Sequence, residues 1–171
     1  IPGTGTVTFD GTTAILGADI PSFNNVSIAS GSVLTGHAVN MYVAGDWINL
    51  GTFNHNSGTV TFNGTAAQSV TSGGSPFNTI TVTNSSPDTE GISFVDRLVA
   101  VTLNASTADG VKKISFYPVL AGSPHTITNF NVSGSSTADL LTLASTAPGQ
   151  AWHIDTPTAT LNYINVIDSH E

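Results

Sequence analysis

Hydrophobic residues fall on every second position along much of this chain. Val7 and Phe9 alternate with Thr6, Thr8 and Asp10. Val26 and Ile28 flank Ser27, and Met41 and Val43 flank Tyr42. Val60 and Phe62 alternate with Thr59, Thr61 and Asn63, and Ile80 and Val82 flank Thr81. A period of two, carried by β-branched and aromatic residues, predicts strands with one buried face. No window of about 11 residues or more carries a 3.6-residue period, so helix is expected to be nearly absent. Turn residues such as Ser30-Gly31, Gly45-Asp46 and Asn63-Gly64 cut the strands short.

The alternation is organised by a repeat. Gly5 to Thr12 reads GTVTFDGT and Gly58 to Thr65 reads GTVTFNGT, 53 positions on. Phe23-Asn24-Asn25-Val26-Ser27-Ile28 pairs with Phe77-Asn78-Thr79-Ile80-Thr81-Val82, now 54 positions on. A short half-buried strand cannot bury its apolar face alone, whereas stacked coils give every strand neighbours and a continuous core. The expected fold is all-β, a right-handed parallel β-helix. With roughly 20 to 35 residues per coil it would have about six to eight coils and stand ~30–40 Å tall. The competing architecture is an antiparallel β-sandwich, which also has many short strands. The repeat favours the solenoid. So does the scarcity of hairpin dipeptides, limited to Asp10-Gly11, Asn63-Gly64 and Asp109-Gly110. The most polar stretch, Ser85 to Gly91, would divide one domain, 1–171, into two related parts, 3–84 and 92–171.

Several phrases resemble one another and a wider text: GDWINLGTFN (45–54), GTVTFNGT (58–65), TNFNVSG (128–134), LLTLASTAPGQAWHI (140–154) and LNYINVIDS (161–169). Across most of residues 3–169 this resembles the repeat text of large secreted bacterial surface proteins, adhesin-like right-handed parallel β-helices. That family is defined by its scaffold, so the resemblance implies a solenoid at the cell surface and supplies no catalytic residue.

Composition narrows the classes. Charged residues are only 8% of the 171, about a third of the usual share for soluble domains. The surface must then be Thr, Ser, Asn and Gly, which suits an extracellular protein or one that packs on copies of itself. Net charge is −8, and Arg97, Lys112 and Lys113 are the only cations besides the histidines. Three cannot neutralise the phosphates of a nucleic acid or hold an anionic membrane surface. The absence of cysteine excludes disulfides, thiolate zinc sites and a Cys nucleophile. The chain starts at Ile1 and stops after Asp168-Ser169-His170-Glu171, as a processed mature chain or a piece of a longer one would.

Candidate chemistry is sparse. No GxSxG, HExxH, Walker or GxGxxG motif occurs, and no calcium-loop pattern. Asp96 beside Arg97 is the one acid–base neighbour pair, read first as a surface ion pair. Asp88 and Glu90 are read as solvated, and Asp10 and Asn63 as turn residues. His37, His55, His125, His153 and His170 follow no metal-ligand spacing and are expected to face solvent. Trp47 and Trp152 are the candidate glycan contacts, with Tyr42, Tyr117 and Tyr163 as further rings; packing is the competing reading. Sequons make Asn25, Asn63, Asn84, Asn104 and Asn131 candidate glycosylation sites, Asn84 above all because it adjoins the polar loop. No cofactor and no metal is expected. The sequence therefore points to a non-enzymatic structural solenoid of an extracellular surface protein, self-associating end to end or joined to neighbouring domains. An adhesin or carbohydrate-binding module is the alternative, and a polysaccharide-cleaving enzyme ranks last.

Overall fold

The computed structural model describes residues 3–87 and 89–169. It is a parallel β-solenoid of about seven turns. Three sheets form its sides. The first stacks eight strands, starting with Thr6–Phe9, Asn25–Ile28, Trp47–Asn49 and Gln68–Thr71. It continues through Ile92–Phe94, Lys113–Phe116 and Leu141–Ser145 to Ile164–Val166. The second runs from Ser22–Phe23 through Asn40–Val43, Thr59–Phe62, Phe77–Val82 and Val99–Ser106 to His125–Ser133. The last of these is followed by both Ile154–Asp155 and Thr158–Asn162. The third is short, with Thr12–Ala14, Val33–Thr35 and Thr52–Asn54.

Every pairing between these strands is parallel, which rules out the sandwich; among the described residues antiparallel geometry is confined to an isolated bridge between Ser136 and Asp139. Helix is limited among the described residues to one 3₁₀ turn at Thr107–Asp109, closed by Gly110 in the left-handed conformation. Asp109-Gly110 is thus a helix cap and not a hairpin turn.

The alternation of the sequence becomes rows of side chains along the column. Met41, Val60, Ile80, Leu103 and Phe130 stack in register inside the second sheet, and Val43, Phe62, Val82, Ala105 and Val132 form the row beside them. In the first sheet Val26, Trp47, Val70, Phe94 and Phe116 do the same. These residues belong to one continuous core cluster extending to Trp152. Each fully buried Val, Leu, Ile or Phe contributes about 1.5–3 kcal/mol, so the core is stabilised row by row. The polar loop at 85–91 interrupts neither sheet, because Gln68, Ser69 and Val70 pair directly with Ile92, Ser93 and Phe94 across it. Asp88, its central acid, lies outside the described residues.

The textual repeat is not the structural repeat. Thr6–Phe9 belongs to the first sheet and its twin Thr59–Phe62 to the second; Asn25–Ile28 and Phe77–Val82 are split the same way. Val26 sits under Trp47, a turn of 21 residues, and Trp47 under Val70, a turn of 23. An offset of 53 therefore overshoots two turns and lands on the next side of the column. The repeated text encodes a half-buried strand usable on either face. Later turns lengthen, with Ile114 under Leu143 after 29 residues. The extra chain forms the loops around Leu120 and Asp139.

Candidate functional site

The two tryptophans are structural. Trp47 is fully buried, edge-on to Phe53 with ring centroids 4.8 Å apart and tilted against Phe77 at 5.7 Å. Its indole N–H has no hydrogen-bonding partner. Trp152 stacks on Phe116 at 5.0 Å, and its indole N–H donates to the Ile167 carbonyl at 2.9 Å. Trp47 is closed to a sugar, which corrects the expectation that it contacts glycans, and Trp152, 4% exposed, only borders a hollow at the last turn. The alternation places Trp47 in phase with the inward row, which is why it packs. Tyr117 and Tyr163 are exposed, on different turns, and Tyr42 is half-buried.

The sequon asparagines divide. Asn84 is buried, and its amide nitrogen donates to the Ala66 carbonyl at 2.8 Å and to Gln68 Oε1 at 2.9 Å. The nitrogen that would carry a glycan is thus inside the fold, contrary to the expectation that Asn84 is the best-placed sequon. The other four are half-buried. Asn25 donates to Thr6 Oγ1 at 3.3 Å and accepts from the Asp46 amide at 2.8 Å. Asn131 donates to Asn104 Oδ1 at 3.0 Å, one rung of a ladder between turns. Asn63 has its side-chain oxygen buried without a partner.

Asp96 and Arg97 point to different partners. The Asp96 carboxylate accepts from the Ser72 amide, the Ser72 hydroxyl and the Gly73 amide at 2.7–2.9 Å. Arg97 reaches up one turn to the Pro124 carbonyl at 2.8 Å and Thr126 Oγ1 at 3.0 Å. They are neither an acid–base pair nor a surface ion pair. Among the described residues the ion pair is Lys112 with Asp139 at 2.6 Å, and it holds the Asp139 carboxyl down at about 2, with help from Ser135. Glu90, read as solvated, accepts from the Ala67 amide at 3.1 Å.

Two histidines are buried rather than solvent-facing. His37 Nε2 lies 3.1 Å from the Gly17 carbonyl, and its Nδ1 accepts from the Val39 amide at 3.2 Å. His125 Nδ1 accepts from the Leu98 amide at 2.9 Å, so Nε2 carries the proton and donates to the Tyr117 carbonyl at 2.8 Å. Burial lowers its pKa below the usual 6.5, outweighing the carbonyl bond. Both rings close loops. His170 lies outside the described residues, and among the described residues no group of three His, Asp or Glu side chains could hold a metal.

The structure reveals a polar network that the sequence reading missed. Gln68 is buried and makes four bonds. Its amide donates to the Val43 carbonyl at 3.0 Å and the Gly45 carbonyl at 2.6 Å; its oxygen accepts from the Gly64 and Asn84 nitrogens, each at 2.9 Å. Asn49, also buried, donates to the Ser72 carbonyl and Ser75 and accepts from the Gly51 amide. Both hold successive turns together at corners where the backbone leaves the sheet. Gly91 completes one corner: its φ is +81°, and a Cβ there would collide with the Lys113 carbonyl. The signal was present, since Asn49 and Gln68 share the inward phase of Trp47 and Val70.

Two features stay open to ligands. A shallow groove of about 720 Å³ runs along the outer side of the first sheet, floored by Ser69, Ser93 and Ser115 in register and bordered by Asp46, Glu90 and Lys113. At the last turn a hollow of about 350 Å³ is lined by Phe130, Leu143, Trp152, Ile154, Leu161 and Val166.

Fold and surface together define a parallel β-solenoid whose first and last described turns expose apolar side chains. Comparison with protein families, with curated proteins and with solved structures finds no match to this chain.

Proposed function

We propose that this chain is a non-enzymatic structural solenoid of an extracellular surface protein and extends a fibre or sheath by stacking end to end on copies of itself. One observation carries the reading. The inward rows run on into the last described turn, where their side chains become exposed. Leu161 continues the row of Val132 and is 49% exposed against 1%; Val166 continues the row of Leu143 and is 47% exposed against 1%. At the other end Val7 is 41% exposed, and Phe9 and Ile15 are only partly covered. The outer strands Thr6–Phe9 and Ile164–Val166 belong to one parallel sheet. A copy translated along the column would therefore offer a strand of the correct direction, a head-to-tail contact that continues without closing. The Thr-, Ser- and Asn-rich surface and the low charge support an extracellular setting.

Sedimentation velocity across a wide concentration range tests this. Concentration-dependent growth, abolished by Leu161→Asp and Val166→Asp, is expected. A strictly monomeric chain at the highest concentration overturns it.

A second reading, a module binding extended polyhydroxylated ligands, is favoured by the serine-floored groove. Its hydroxyls recur once per turn, at ~4.8 Å, beside carboxylates and one lysine. Glycan-array binding lost in Glu90→Gln and Lys113→Ala supports it, and a flat array contradicts it.

A further inference from the structure

The outward side of the second sheet carries a polar array of unusual regularity. Thr59, Thr79, Thr102, Asn129 and Thr158 lie in one row across five successive strands. Two residues further along the same strands runs a second row, from Thr81 through Asn104 and Asn131 to Thr160, with Thr61, buried at 6% exposed, as its covered end. Beside it Ser106, Ser133 and Asn162 begin a third. All these positions bear a hydroxyl or an amide, and none bears a charge, although the chain's net charge is −8. Among the described residues one acid shares this sheet, Asp155, in register with Thr126 at the end of the strands and outside the three rows.

The array is held rigidly. Threonine is stiff at χ1 because it is branched at Cβ. The amides are fixed between turns: Asn129 donates to Thr102 Oγ1 at 3.3 Å, Asn131 to Asn104 Oδ1 at 3.0 Å, and Thr61 Oγ1 donates to Asn40 Oδ1 at 3.0 Å. The backbone sets the spacing at ~4.8 Å between strands and ~6.7 Å between rows.

Two occupants fit poorly. The five strands present roughly 300 Å², against about 800 Å² per partner in a stable protein interface, and no aromatic or arginine anchor stands among them. A polysaccharide crystal would call for flat exposed rings, and the nearest ring, Tyr42, is half-buried at the margin. A surface whose only asset is a fixed, uncharged, two-dimensional lattice of hydroxyl and amide groups suits a ligand that is itself a lattice. Hexagonal ice presents rows of oxygens at closely similar intervals on its prism faces. Each threonine would anchor a lattice water through its hydroxyl and exclude disordered water with its methyl. We propose that this face binds ice.

The test is partition into ice grown slowly on a cold finger from a dilute solution of the fluorescently labelled chain. The wild-type protein is expected in the ice at least tenfold above an inert globular protein of equal size. Thr81→Lys, inside the array, and Thr160→Lys, on the exposed last strand of this sheet, are expected to fall to the inert level. Ser27→Lys, on the first sheet, is expected to behave as wild type. Exclusion of the wild-type chain from ice overturns the proposal, and so does undiminished partition of folded Thr81→Lys and Thr160→Lys. This readout is independent of whether the chain stacks end to end.

Discussion

Replacing Gln68 by leucine removes the side chain that ties three stretches of backbone together at one corner. Leucine fills nearly the same volume, so the change isolates the polar contribution. The Val43 carbonyl keeps its bond from the Asn63 amide at 3.0 Å, and Asn84 keeps the Ala66 carbonyl at 2.8 Å. The Gly64 amide and the Gly45 carbonyl lose the bonds that Gln68 gives them. A buried group left unsatisfied costs about 1–3 kcal/mol, so the two together cost about 2–6 kcal/mol. Extra apolar burial returns about 1 kcal/mol. The expected net loss is about 1–5 kcal/mol, read from urea unfolding followed by far-UV circular dichroism with an unchanged denaturant slope. A loss below about 1 kcal/mol would refute the reasoning, because it would mean that water or backbone adjustment satisfies the corner without Gln68.

Three further outcomes are expected. Trp47→Ala should cost about 3–5 kcal/mol by opening a cavity among Phe53 and Phe77, whereas Trp47→Phe should cost well under half of that, since it also removes an unpartnered N–H; thermal denaturation compares them. The neutral His125 ring should make the fold acid-sensitive. Because burial lowers its pKa below 6.5, the unfolded chain takes up a proton first, so this contribution is complete above about pH 6.5 and is lost as pH falls from there towards the folded value. His125→Gln should flatten that part of the stability–pH curve. The Asp139 carboxyl should titrate near 2 by NMR and move back towards 3.8 in Lys112→Ala; an unmoved value would show that Lys112 is not its main partner.

Much of the fold was legible because its commonest element is also its simplest signal. Val26 and Ile28, Met41 and Val43, Val60 and Phe62, and Ile80 and Val82 are all buried as their alternation requires. Two features blurred the rest. The long strands bend, so Ala100 and Leu103 both face inward while Val101, in the same apolar run, is 45% exposed. And the strongest textual repeat spans two turns and part of a third, so it identified a solenoid while misplacing its own copies. The polar interior was harder to see. Asn49, Gln68, Asn84 and His125 are residue types normally at the surface, and they are buried here because corners leave backbone groups that only an amide or imidazole satisfies. Asp96 and Arg97 show the limit of adjacency: both lie in the corner between Ile92–Phe94 and Val99–Ser106, where Asp96 binds the turn before and Arg97 the turn after.

Electron cryo-microscopy of the purified chain at high concentration tests the central claim most directly. The account predicts filaments in which the ~4.8 Å strand spacing runs along the filament axis and continues across each joint, with Val166 of one copy against the first turn of the next. Isolated columns at every concentration, with both ends free, would contradict it.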